Sequence, residues 1–81
     1  MEPYDKLYTL LKNKAIFKSS ESAYYQVYCD DETMELKFSD IRKLIFRSVV
    51  LTKEQIIEML KVMTMEQIID SWFYQIDNME V

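Results

Sequence analysis

The chain has 81 residues, 49% of them hydrophobic, including four Phe, six Tyr and one Trp, and its formal net charge is −4. This is material for one compact domain spanning 1–81, close to the ~70–80 residue size at which a single core is marginally sufficient. The absence of Gly and His, with a single Cys, excludes Gly-rich phosphate loops, His-based triads, closed zinc sites and an intramolecular disulfide.

Residues 3–13 carry Tyr4, Leu7, Tyr8 and Leu11 at helical spacing, with Pro3 suited to a first turn, so a helix is predicted there. The following AIFK, residues 15–18, is short and apolar and is read as a possible third strand. In 23–29, AYYQVYC, the period changes to two, and MELKF, residues 34–38, alternates in the same way. Joining them through Asp30-Asp31-Glu32-Thr33 sets Cys29 opposite Met34, Val27 opposite Leu36 and Tyr25 opposite Phe38. One face of that hairpin is then apolar, while Tyr24 and Tyr28 stand on the other beside Gln26, Glu35 and Lys37.

Three short helices are expected next. Ser39 is placed as the cap of the first, with Ile41, Leu44 and Ile45 on one side. Thr52 with Gln55, and Thr64 with Gln67, each match a capping box, in which the Thr oxygen accepts the third helical amide and the Gln side chain reaches back. Ile56, Leu60 and Met63 share a face of the second helix, and Ile68, Ile69, Trp72, Phe73 and Ile76 form a broad stripe on the third. The fold class is therefore α+β: an N-terminal helix, a small antiparallel hairpin or three-stranded meander, then three helices, the last two arranged like a helix-turn-helix.

The near-repeat LTKEQIIE and MTMEQIID, residues 51–58 and 63–70, follows from two copies of one cap over two apolar faces. From Leu51 through Leu60, Val62, the break at Met63-Thr64 and on to Trp72, the stretch resembles the helix-turn-helix family. That resemblance implies a DNA-binding transcriptional regulator whose second helix, Met65 to about Ile76, enters a major groove with Gln67 and Glu66 near the bases.

Charge favours a different partner. Residues 1–35 hold four lysines against seven acids, residues 36–53 five cations against Asp40, and residues 54–81 only Lys61 against six acids. A DNA reader needs cations beside phosphates, and the second helix of the pair has none. The expectation is a non-enzymatic, acidic regulator or inhibitor that binds a cellular or host protein, including one that itself binds nucleic acid. A phage or mobile-element origin is compatible with the composition.

The candidate protein-binding residues are Tyr24, Tyr28, Asp30, Asp31, Glu32, Glu66, Asp70 and Tyr74, the aromatics as anchors and the carboxylates as a nucleic-acid mimic. No catalytic residue, metal or cofactor is expected. The acids around the 30–33 turn lack EF-hand spacing, and Cys29 reads as a small buried hydrophobe rather than a reactive thiol. With no signal-like or membrane-spanning run, a cytoplasmic location is expected, and a homodimer is compatible with either function.

Overall fold

A computed structural model describes residues 1–80. Helix α1 spans Pro3–Lys18, strands β1, β2 and β3 span Ala23–Cys29, Thr33–Asp40 and Ile45–Thr52, and helices α2 and α3 span Lys53–Leu60 and Met65–Asp77. The strands form one antiparallel sheet in the order β1-β2-β3. The arrangement is α+β as expected, but with three helices rather than four.

The hairpin has the register read from alternation: Cys29 faces Met34, Val27 faces Leu36 and Tyr25 faces Phe38. Met34 and Leu36 are fully buried, while Tyr25, Val27 and Phe38 pack at the core's margin. The alternation works because, among the described residues, one sheet face carries the three helices and the other carries none. Asp30 shapes the turn, its Oδ1 accepting the amides of Glu32 and Thr33, both at 2.8 Å.

Two expectations are corrected. Residues 15–18 are not a strand: they are the last turn of α1, because Ala15 continues the buried series Tyr4, Leu7, Leu11 on that helix. The helix ends at Ser19, whose Oγ donates to the Ala15 carbonyl at 2.6 Å.

The second correction concerns Ser39 to Leu44. Ser39 caps no helix; it is buried within β2, and Asp40 Oδ1 instead folds a turn by accepting the amides of Arg42 and Lys43, both at 3.1 Å. Leu44 turns the chain with φ 55° and is 76% exposed, and Ile41 is also exposed. The segment IFRSVVLT then runs as β3, with Ile45, Arg47, Val49 and Leu51 alternating toward the helices. β-branched residues favour that extended form, and pairing along all of β2 outweighs a weak helical spacing.

Helices α2 and α3 begin as read. In both, the Thr Oγ1 accepts the Gln amide at 3.1 Å and the Gln Oε1 accepts the Thr amide at 2.8 and 2.9 Å. Ile68, Ile69, Trp72, Phe73 and Ile76 are all buried against the sheet and α1. Helices α1 and α3 lie side by side in the same direction: Leu10 and Lys14 share a cleft with Glu66 and Asp70, and Lys18 pairs with Asp77 at 3.8 Å. Arg47 reaches from β3 to the end of α3, donating through Nη1 to the carbonyls of Ile76 at 3.3 Å and Asp77 at 3.1 Å. A cation at that pole also complements the helix dipole. No helix among the described residues is long and apolar enough to cross a membrane.

Candidate protein-binding surfaces

The uncovered sheet face follows directly from strand alternation. Across β1, β2 and β3 its rows are Tyr24-Ser39-Phe46, Gln26-Lys37-Ser48 and Tyr28-Glu35-Val50. Phe46 is 65%, Val50 50% and Tyr28 48% exposed, and Tyr24 is half-buried. Lys37 extends over the Tyr28 ring with Nζ 5.6 Å from its centre, a cation–π contact that holds the ring in place. Ser48 donates to the Glu35 carboxylate, so the charged residues of this face are engaged with their neighbours. What remains is a broad aromatic and aliphatic surface with polar groups between its anchors.

A second surface lies at the end of the sheet where the β1–β2 turn meets the starts of α1 and α2. Glu2, Asp5, Asp30, Asp31, Glu32 and Glu54 line two clefts there, around the single cation Lys53. Asp30 is held below the usual carboxylate range by the amides of Glu32 and Thr33, so its charge serves the turn as well as the surface. Tyr4 is buried beneath this acidic end and donates to the Asp30 carbonyl at 3.1 Å. Burial first, then its contact with Cys29 and the charges of Asp30 and Asp31, push its hydroxyl pKa well above normal. Beside it, Pro3, Tyr4, Ile57, Leu60 and Met65 line an open apolar cleft of about 630 Å³.

The third surface is the outer side of α3. Glu66, Gln67, Asp70, Ser71, Tyr74 and Gln75 are exposed, Tyr74 by 72%. Lys14 of α1 contributes a cation to the cleft beside Glu66 and Asp70.

The eight residues singled out in the sequence are therefore distributed over three surfaces. Tyr24 and Tyr28 share the sheet face, Asp30, Asp31 and Glu32 share the acidic end, and Glu66, Asp70 and Tyr74 share the outer side of α3. Phe46 and Val50 complete the sheet face; the helical spacing of Ile41, Leu44 and Ile45 conceals the strand that carries them. The β-branched and aromatic content of IFRSVVLT is the signal that could place them. No family model, curated protein or solved structure matches this chain.

Proposed function

We propose that this protein is a small binding regulator that docks on another protein through the uncovered face of its sheet, with its acidic end directed at a basic margin of that partner. The supporting observation is the row geometry above: Tyr24, Tyr28, Phe46 and Val50 stand together on a face that no helix covers. Aromatic anchors on a rigid sheet lose little conformational freedom on binding, which suits them to the centre of an interface. The acidic end lies next to that face, since Tyr28 and Glu35 border the same cleft as Asp30 and Thr33. Carboxylates so placed would raise the rate of encounter with a positively charged protein, including one whose own ligand is a nucleic acid.

The helix-turn-helix alternative has less support. Its reading helix would offer Glu66 and Asp70 to a polyanion with no cation of its own, and Arg47, on the adjoining strand, is occupied by the carbonyls at the end of α3.

The deciding experiment pairs capture with a defined variant. The full chain is used as bait in lysate, and each captured protein is then purified and titrated with wild type and with the Tyr24→Ser/Tyr28→Ser double variant. A basic partner is expected to bind at defined stoichiometry, to lose at least about tenfold in affinity with the double variant, and to lose its own nucleic-acid binding when occupied. Selective DNA binding by the purified chain that disappears with Gln67→Ala would overturn the reading. So would a partner whose affinity the double variant leaves unchanged.

A further inference from the structure

The two edges of the sheet are treated differently. The register fixes which backbone groups point outward. Along β1 the outward positions are the odd ones, since Asp30 N–H donates to Thr33 and Ile41 N–H to Ser22 across the hairpin. Much of that edge is already closed. Ser19 Oγ accepts the Tyr25 amide at 2.8 Å, Ser20 N–H donates to the Ala23 carbonyl at 2.8 Å, and Ser20 Oγ accepts the Ala23 amide at 3.2 Å. Along β3 the phase is set by Lys53 N–H, which donates to Glu32 at 2.7 Å, so the even positions face away from β2.

Phe46, Ser48 and Val50 thus direct both N–H and C=O outward, and none of these groups has a protein hydrogen-bond partner among the described residues. Thr52, the next in phase, is closed by Gln55 Oε1 at 2.8 Å. The open stretch therefore has definite ends: the Asp40–Leu44 turn on one side and the α2 capping box on the other. None of the usual guards is present on it, neither a proline nor an outward lysine, and the one cation of the strand, Arg47, is turned inward to α3.

We propose that a second copy of this chain occupies this edge, the two β3 strands pairing antiparallel about a two-fold axis at Ser48 to make a continuous six-stranded sheet. The sequence of the edge is complementary to itself in that register. Phe46 lies opposite Val50 of the second copy, Ser48 opposite Ser48, and Val50 opposite Phe46, so every outward N–H and C=O of the three residues meets a partner. The two apolar pairs fall on the uncovered sheet face, at 65% and 50% exposed residues that gain cover. Within the paired stretch 46–50 nothing charged is set directly against its like. The nearest equal charges on that face, the two Lys37 side chains, belong to β2 strands three inter-strand spacings apart, about 14 Å, beyond the ~8–10 Å screening length. On the inner face each Arg47 would lie opposite Val49 of the other copy, with its guanidinium held by the carbonyls of its own α3. Half-buried Tyr24 and exposed Tyr28, on the far strand, are not covered by the pairing and remain available for a different partner.

The test is sedimentation velocity on the full chain across about a hundredfold range of concentration, since dimerisation follows mass action. Wild type and the Tyr24→Ser/Tyr28→Ser variant are expected to sediment as a species of twice the 9.8 kDa chain mass at the upper end. Ser48→Pro removes an outward N–H that the monomer does not use, and should abolish the dimer while the far-UV circular dichroism stays that of the folded domain. Ser48→Lys sets two cations across the axis and should weaken the dimer at least about tenfold, with recovery in high salt. It also decides the matter if Ser48→Pro does not fold. A wild-type chain that stays monomeric throughout would overturn the proposal, as would a dimer unchanged in folded Ser48→Pro or Ser48→Lys. A monomer that takes up an extended peptide along β3 would assign the edge to another protein and equally overturn the second copy as its occupant.

Discussion

The indole N–H of Trp72 donates to the carbonyl of Val49 at 3.1 Å, a buried bond that joins the centre of α3 to the centre of β3 across 23 residues of sequence. Trp72 is 1% exposed and Val49 8%, so the bond is shielded from water and the ring fills the core beneath the sheet. Removing the ring leaves a cavity as well as a missing donor. Trp72→Ala should cost about 3–5 kcal/mol, and Trp72→Phe, which keeps most of the ring volume, about 1–3 kcal/mol. Urea titration monitored by circular dichroism measures both. A loss below ~0.5 kcal/mol for Trp72→Phe, the range of ordinary surface substitutions, would remove this contact from the account of the core.

The repeated capping boxes allow a cleaner comparison, because the same chemistry occurs at two sites twelve residues apart. Thr52→Ala and Thr64→Ala should each cost about 1 kcal/mol, and Thr→Ser at either site much less, since serine keeps the accepting oxygen. The two boxes share no hydrogen-bond partner, so the double variant should lose close to the sum of the two. Thermal midpoints of wild type and the five variants would check it. Equal losses for Ser and Ala would mean that the cap hydrogen bonds are not what Thr supplies.

Alkaline pH probes two tyrosines that the fold holds in protonated form. Tyr25 is pushed well above its ordinary value by burial and then by its hydrogen bond to Asp77 Oδ1 at 2.5 Å, and Tyr4 is raised mainly by burial. A raised pKa means that the folded state keeps the proton longer than the unfolded chain does. The associated stability is complete below the ordinary tyrosine pKa of about 10 and is lost as pH climbs beyond it. The thermal midpoint should therefore fall steeply above pH ~10 in wild type. Tyr25→Phe should start lower at neutral pH by about 1 kcal/mol, having lost one hydrogen bond, and then fall less steeply. Parallel curves for the two proteins would contradict the assignment to Tyr25.

The legible parts of this fold were those where two local signals agreed. The β1–β2 register followed from alternation on both strands and a polar turn between them, and α2 and α3 followed from a cap and an apolar stripe together. The β2–β3 connection offered conflicting signals. Ser39 suits a cap, and Ile41, Leu44 and Ile45 have helical spacing, while the strand that follows has its alternation broken by Arg47 on the inner side. That arginine belongs there because α3, distant in sequence, ends over it. The same conflict of signals conceals Phe46 and Val50, whose outward positions follow only once β3 is in place. Tyr24, Tyr28 and Tyr74 needed only the local period, and all three lie on outward-facing positions.

Leu44 converts that conflict into a prediction with a sign. A turn of this shape ordinarily announces itself with glycine, and the chain has none; Leu44 instead takes φ 55° while leaving its side chain 76% exposed. The left-handed conformation costs a branched L-residue roughly 1–2 kcal/mol, and no burial offsets it at this position. Leu44→Gly relieves that cost, although glycine also loses more freedom on folding, so a net gain of about 0.5–1 kcal/mol is expected. Leu44→Asn should gain a similar or smaller amount, because asparagine tolerates the same region. A helix capped by Ser39 and running through Leu44 requires the opposite result: there glycine would cost about 1 kcal/mol relative to a good helix former. Urea midpoints of the three proteins separate the cases directly, and a destabilised Leu44→Gly would argue against the strand that begins at Ile45.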